Sequence, residues 1–392
     1  MIRNCFVCGN HTQHKCEVFY GEFMQIQDCG TLHIGICSHC GYIYIMNPLS
    51  QETTNDYYRT NQKHDTTSVN MDSAHAKRSQ KQARFILDAI GSIETVLEIG
   101  ALAGGNLNIY KEMGLTVCGT DLSINNVEYA KRQYDIELYQ MDFDTFYVEN
   151  NDCFDLVILS NILEHIIDPY SMMKKVAEFN TNYVYIEVPG FDYKYIDMPY
   201  GMFIPTHQSY FTLESLKNLM KCVGYELLDA NLLLADGEQH QSFNTPLMQS
   251  VWQRSERYEV KRKPSCLKTT ISSEQHLDFY LNSSKLLIEN IAGVIDRIPD
   301  DLRLAVWCLS RHTALLFQHT TLSKKHIVKF YETDDIFHGR ITRGHKVGYF
   351  SKADVEQNNI EAILISSYEH QNRIESQIIE SGVNCEIITF YE

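Results

Sequence analysis

The stretch Val96-Leu97-Glu98-Ile99-Gly100-Ala101-Leu102-Ala103-Gly104-Gly105-Asn106 decides the fold. Its first half is a short apolar run of strand type. Its second half is a loop of small residues that leads into a helical pattern. Such a loop lets a ligand reach the backbone, and the helix N-terminus offers it partial positive charge. The glycines do not spell G-x-G-x-x-G, because Leu102 stands in the middle. A pyrophosphate cradle is therefore disfavoured.

The alternation repeats downstream. Residues 116–120, 136–140, 156–159 and 183–186 are apolar runs separated by amphipathic segments. This pattern predicts a parallel sheet covered on both faces. A helix over 212–223 and a strand over 225–228 would end the domain near residue 235. Functional side chains fall at the predicted C-terminal strand ends, the ligand edge of an open α/β sheet. Asp121, in Gly119-Thr120-Asp121-Leu122, stands where an acid meets ribose hydroxyls. Asp142 can accept an adenine amino group, with the Phe143 ring packed beside the base. The fourth strand ends in Asn161-Ile162-Leu163-Glu164-His165.

Taken in order, E-x-G-x-x-x-G at 98–104, the acid at 121, D-F at 142–143 and N-x-L-E-H at 161–165 resemble the class I S-adenosylmethionine-dependent methyltransferases. The resemblance implies a Rossmann-like domain with S-adenosylmethionine as cofactor. Glu98, Gly100 and Gly104 would line the methionine side. Asp121 with adjoining Leu122 would hold the ribose, Asp142 and Phe143 the adenine, and Asn161 would touch the cofactor from strand four. His165 either orients the loop backbone or faces the substrate.

Six of the 12 cysteines lie in the first 40 residues. Cys5-Phe-Val-Cys8-Gly9 and Cys37-Ser-His-Cys40-Gly41 are matching knuckles, each projecting two thiolates from a turn that the following glycine permits. Two knuckles make a tetrahedral S₄ site suited to structural Zn²⁺, with no position open for catalysis. Cys16 and Cys29 fit less well as ligands. The polar connector over 41–80 suits a segment folding over a ligand, and Tyr57 and Tyr58 stand where a lid would start.

Residues 236–273 read as a linker. Its basic residues, Arg254, Arg257, Lys261, Arg262, Lys263 and Lys268, are either a solvated run or a patch for a substrate diphosphate. The spacing of Leu277, Tyr280, Leu281, Ser284, Ile288, Ile291 and Ile295 predicts a long amphipathic helix. Runs at 304–307, 327–331, 346–350, 362–365 and 385–388 then predict a second, smaller α/β sheet. Its first turn lacks a glycine loop, and Arg311 with His312 could meet an anion there. The domains expected are a zinc module over 1–48, a methyltransferase domain over 75–235, the linker, and a Rossmann-like unit over 274–392.

That order resembles the sugar C-methyltransferases of nucleotide-linked deoxysugars over nearly the whole chain. Their stretch after strand five reads roughly Y-H-E-H-F-S-Y-F-S. Here His207-Gln-Ser-Tyr210-Phe211 keeps the second His, the family's proposed general base, while Ile204, Pro205 and Thr206 replace the residues before it. An enolate-stabilising donor would then come from Tyr58, Tyr200 or Tyr210. A nucleotide-linked or polysaccharide-associated sugar is the acceptor this implies, methylated on carbon or oxygen. A scaffold that has lost its reaction and an NAD-dependent sugar oxidoreductase are the rivals.

The chain has 392 residues, 44% hydrophobic and 21% charged, a globular composition that two or three domains would use. Fifty acidic against 34 basic residues leave a net charge of −16, which opposes binding to a phosphate backbone. No run of ~18 apolar residues predicts a membrane span. The start, Met1-Ile2-Arg3-Asn4-Cys5, lacks a signal-peptide pattern, so a cytoplasmic location with reduced thiols is expected.

Overall fold

A computed structural model describes residues 4–19, 30–60, 74–150, 153–192, 198–233, 246–255 and 271–391. Cys29 and the basic residues from Arg257 to Lys268 lie outside the described residues. The chain divides into two compact units. One takes in residues 1–16, 33–194 and 204–277; the other takes in 17–32, 195–203 and 278–392.

The first part of the chain contributes β1 (Thr12–Phe19), β2 (Thr31–Cys37), β3 (Ile43–Ile45), α1 (Gln51–Thr60) and α2 (Ala74–Ile90). The Rossmann-like series follows as β4 (Thr95–Ile99), α3 (Gly105–Glu112), β5 (Thr116–Asp121), α4 (Ile124–Tyr134), β6 (Leu138–Gln140), α5 (Phe143–Glu149), β7 (Leu156–Ser160), α6 (Pro169–Glu178) and β8 (Tyr183–Pro189). After it come β9 (Ser209–Tyr210), α7 (Leu213–Cys222), β10 (Tyr225–Leu233) and β11 (Leu247–Arg254).

The large sheet has seven strands in the order β10-β11-β8-β7-β4-β5-β6. Strands β4 to β8 pair in parallel, while β11 runs antiparallel between β8 and β10. Strands β4, β7 and β8 are buried along nearly their whole length, as both faces of a parallel sheet require. One face packs Leu97, Val157, Leu159, Val184 and Ile186 against α6 and α7. The other packs Val96, Leu156, Ile158 and Tyr185 against Ala83 and Ile86 of α2 and Leu107 of α3.

Two domain boundaries differ from the sequence reading. Residues 247–254, assigned there to a linker, form β11, with Met248, Val251 and Trp252 in the core. The polar residues that disguise this strand are themselves buried and paired. Gln249 Nε2 donates to Glu187 at 2.7 Å, and Ser250 Oγ donates to the Ile186 carbonyl at 3.2 Å. The cysteine knuckles, assigned to a separate module over 1–48, share a core with α6, α7, β7 and β8. The small sheet runs β1-β2-β3-β9, so its last strand comes from the region after β8. Ile43 pairs with Tyr210 and Tyr44 with Ser209. Asn218 of α7 donates to the Cys40 carbonyl at 3.1 Å.

The C-terminal part holds α8 (Ile271–Asp296), β12 (Leu304–Trp307), α9 (Arg311–His319), β13 (Ile327–Tyr331), β14 (Ile341–Thr342), β15 (His345–Gly348), α10 (Lys352–Gln357), β16 (Ala362–Ile365), α11 (Gln371–Glu380) and β17 (Glu386–Ile388). Its sheet order is β14-β15-β13-β12-β16-β17, parallel except at β14. The α8 stripe is buried at Leu277, Tyr280, Ser284, Ile288, Ile291 and Ile295, as its spacing predicts, with Leu281 only half-buried. No helix among the described residues is long and apolar enough to cross a membrane.

Trp252 is 1% exposed and its indole N–H donates to Ser250 Oγ at 2.9 Å. Trp252→Ala is expected to cost roughly 3–5 kcal/mol in denaturant unfolding. Val148→Ala, at a position 78% exposed, should cost almost nothing. A Trp252→Ala loss as small as the control's would contradict the placement of β11 in the core.

Candidate active site

The loop after β4 is shaped by backbone that side chains cannot follow. Gly100 has φ +70°, and a Cβ there would lie 2.2 Å from Cδ1 of Ile162. Gly104, with φ +77°, caps α3 and would place a Cβ 3.0 Å from Ala130. Glu98, next to the last residue of this strand, is almost fully buried. Its Oε1 accepts from Asn106 Nδ2 at 2.8 Å, and its Oε2 has no hydrogen-bond partner among the described residues. Burial pushes its carboxyl up to about 8, partly opposed by Asn106. A buried acid with one free oxygen beside an open glycine turn fits the ammonium end of an amino-acid ligand.

Asp121 lies at the end of the neighbouring strand, β5. Its Oδ2 accepts from Leu102 N at 2.9 Å, while Oδ1 accepts from Ser123 N at 2.9 Å and Asn126 Nδ2 at 3.0 Å. The carboxylate thus holds the glycine loop and the start of α4 together. An ionised carboxylate has about four acceptor sites, so it can take a ligand hydroxyl as well. Leu122 adjoins it, half-buried.

Asp142 caps α5, accepting from Thr145 N at 2.9 Å and Thr145 Oγ1 at 2.7 Å. Phe143 departs from the expectation that its ring would pack beside a base. As the first residue of α5 it turns inward, buried in the core with Phe179 and Tyr147 close to its ring. Asn161 has φ +54°, and its Nδ2 donates to Glu187 Oε1 at 3.2 Å. Glu187 escapes the sequence reading, although a lone acid inside Tyr183-Val-Tyr-Ile-Glu-Val-Pro189 is the signal for it. It is fully buried, pairs with Arg78 of α2, and also takes Gln82, Ser160, Tyr185 and Gln249. Burial opposes its charge, yet Arg78 and the surrounding donors hold its carboxyl below the ordinary range.

Helix α1 covers this edge of the sheet. Gln51, Asn55 and Tyr58 share one helix face at spacings of four and three. Gln51 accepts from Ile167 N at 3.1 Å and donates to the His165 carbonyl at 3.3 Å. Asn55 donates to Asp142 Oδ2 at 3.4 Å. Tyr58 Oη stands 3.1 and 3.3 Å from the two His165 ring nitrogens. The connector therefore reaches both Asp142 and the histidine loop.

His165 and His207 meet edge to face, with ring centroids 4.8 Å apart. His165 Nδ1 lies 2.9 Å from the Thr206 carbonyl oxygen, and burial lowers its imidazole to about 4, so it stays neutral. Glu164 is 2% exposed, and its Oε2 has no hydrogen-bond partner among the described residues. Burial raises its carboxyl to about 8. Tyr210 and His207 both donate to the Ile204 carbonyl, His207 through its backbone N–H at 2.9 Å. Tyr210 is buried in β9, and its hydroxyl donates to that carbonyl at 3.4 Å.

Cys5, Cys8, Cys37 and Cys40 form one buried cluster. The Sγ atoms of Cys5 and Cys40 are 3.5 Å apart, and those of Cys8 and Cys37 are 3.4 Å apart. Gly9 and Gly41 have φ +77° and +71°, the turn conformation expected of them. The C-terminal unit uses its two candidate anion ligands internally. Arg311 donates to the Gly201 carbonyl at 2.8 Å, and His312 is buried between Ser366 Oγ and Tyr391 Oη. Leu309 N, at the first turn of that sheet, donates to Glu332 at 2.7 Å. Tyr200 belongs to the same unit, its N–H donating to Ser284 Oγ at 3.1 Å. Arg254 donates to the Ala177 carbonyl at 3.2 Å and to Asn180 at 3.1 Å, which ties it to the end of α6.

Residues 71–230 match the family model described as a methyltransferase domain. A search of curated proteins returns no match. Similar solved structures include an S-adenosylmethionine-dependent methyltransferase from Archaeoglobus fulgidus, at 16% identity and TM-score 0.36, over 46% of this chain and 95% of that one. Another is magnesium protoporphyrin IX methyltransferase from Synechocystis PCC 6803 with bound S-adenosylhomocysteine, at 13% and 0.38, over 52% and 99%. A third is 1,6-didemethyltoxoflavin-N1-methyltransferase from Burkholderia thailandensis, at 15% and 0.39, over 57% and 96%. The seven-stranded unit is a methyltransferase domain of Rossmann-like fold. The chain is an enzyme that carries this methyltransferase domain over residues 71–230.

The buried Glu98 gives a pH signature. Its folded carboxyl holds a proton up to about 8, whereas an exposed Glu releases it near 4.5. The folded state binds more protons in that window, so this contribution is full below about 4.5 and lost as pH rises through about 8. The ligand-free protein should lose stability over that range more steeply than Glu98→Gln, as denaturant unfolding at successive pH values would read. Parallel curves would contradict the assignment.

Proposed function

We propose that this methyltransferase acts on a small polar acceptor, a nucleotide-linked or polysaccharide-associated sugar. The observation that carries the cofactor site is Glu98, buried at the glycine turn with one oxygen unpartnered among the described residues and with Asp121 and Asp142 along the same strand edge. Glu98 would hold the ammonium group, Asp121 the ribose hydroxyls and Asp142 the adenine amino group. When bound, the sulfonium supplies an electrophilic methyl group. Tyr58, His165 and His207 would border the acceptor, and Asn161 would set the loop on which His165 stands. Handling of the acceptor proton falls to this histidine cluster, with His207 the residue the sugar C-methyltransferase resemblance points to. The sugar assignment rests on that resemblance. Methylation of a hydroxyl asks least of the site, because Tyr210 is engaged within its own loop.

The expected outcome is S-adenosylhomocysteine release with a nucleotide-sugar from a panel bearing free hydroxyl or keto groups. His207→Ala should lower kcat by roughly 10²-fold or more while S-adenosylhomocysteine still binds. A protein that binds S-adenosylhomocysteine but turns over no sugar in the panel would overturn the acceptor class.

The four cysteines are proposed to hold a structural Zn²⁺. Zn–S bonds of ~2.3 Å in a tetrahedron put sulfurs about 3.8 Å apart, close to the spacings observed. Four thiolates close the coordination shell, so this ion would hold the fold and take no part in methyl transfer. One zinc per chain is expected by elemental mass spectrometry. Cys8→Ser should lose it together with thermal stability. Full zinc retention in that variant would contradict the ligand set.

A further inference from the structure

Two histidines and a glutamate converge beneath α1 in an arrangement that the cofactor site does not use. One ligand atom from each of Glu164, His165 and His207 lies within 4.8 Å of the others. We propose that Glu164, His165 and His207 form a second metal site that binds a divalent first-row cation. The proposal rests on the methyltransferase reading only for what the cation would meet, an oxygen of the acceptor.

Three observations carry it. The first is the unpartnered carboxylate oxygen. Glu164 is 2% exposed, yet Oε2 meets no donor among the described residues. A buried carboxylate is costly unless a cation or donors satisfy it. The second is the orientation of His165. Its Nδ1 lies 2.9 Å from the Thr206 carbonyl, which fixes the proton on Nδ1 and leaves Nε2 its lone pair. Metal-bound imidazoles are commonly anchored in this way. The third is spacing. His165 Nε2 and Glu164 Oε1 are 3.8 Å apart. Ligands bonded at about 2.0–2.2 Å to one ion stand about 3–4.4 Å apart, so this pair already fits.

Two imidazoles and one carboxylate suit Mn²⁺, Fe²⁺, Co²⁺ or Zn²⁺ rather than the softer ions that thiolates select. The site is chemically distinct from the cysteine cluster. Three protein ligands leave positions open, and Tyr58 Oη, 3.3 Å from Nε2, borders that side. An acceptor hydroxyl or keto oxygen would complete the shell.

The test is Mn²⁺ titration of the zinc-loaded full chain, with free Mn²⁺ read by electron paramagnetic resonance and bound metal counted by mass spectrometry. Wild type should bind one Mn²⁺ per chain beyond the cysteine-bound zinc. Glu164→Gln and His207→Ala should each weaken that binding roughly tenfold or more. Calorimetric titration with S-adenosylhomocysteine, run separately, should show the cofactor site intact in both variants. Failure of wild type to take either Mn²⁺ or a second Zn²⁺ would overturn the proposal, as would binding unchanged in both variants. Failure of wild type to bind S-adenosylhomocysteine would instead overturn the methyltransferase reading, because the metal is counted independently.

Discussion

The pairing of β3 with β9 is the constraint on which the site depends. Ile43 and Tyr44 follow the second cysteine knuckle, while Ser209 and Tyr210 follow His207. A buried Tyr42–Ser209 hydroxyl contact reinforces the pairing, and Ser209 Oγ donates to the Ile166 carbonyl at 3.1 Å. The histidine loop is thus held between the thiol cluster and the end of β7. A two-residue strand has little stability of its own. Its geometry comes from the buried sheet it joins, whose turns are set by the cysteine knuckles. Structural metal in the N-terminal segment would therefore stabilise the position of His207 without entering the chemistry.

The two halves of the site are built on opposite electrostatic terms. Glu187 stays ionised in full burial because Arg78 and several donors surround it. Glu98 and Glu164 are buried with an oxygen unpartnered among the described residues, and both are pushed up to about 8. Glu187 fixes the strand edge and Asn161. Glu98 and Glu164 are the two carboxyls that the proposals above give to positive charge from outside the chain. Desolvation of this kind at a strand edge is a property of binding sites more than of cores.

Much of this was legible in residue pattern. The strand runs, the glycine loop, the acids at the strand ends and both knuckles appear where spacing places them. Three features were hidden, each for a physical reason. Strand β11 carries Gln249 and Ser250 in the buried sheet, so its polar residues imitate a linker until their partners Glu187 and Ile186 are seen. Phe143 follows a strand-end acid, but helix geometry turns its ring into the core. The Glu164–His165–His207 group joins residues more than forty positions apart, brought together by the His165–Thr206 and Ser209–Ile166 hydrogen bonds. Local pattern reports periodicity; it does not report partners contributed by distant segments.

The cofactor site is the central claim. Its most direct test is calorimetric titration with S-adenosylmethionine, S-adenosylhomocysteine and NAD, in wild type and in Asp121→Ala. The two methyl-donor forms should bind to wild type, NAD should not, and Asp121→Ala should weaken binding roughly 10-fold to 100-fold. Silence from the methyl-donor pair, or binding of NAD in its place, would contradict the account.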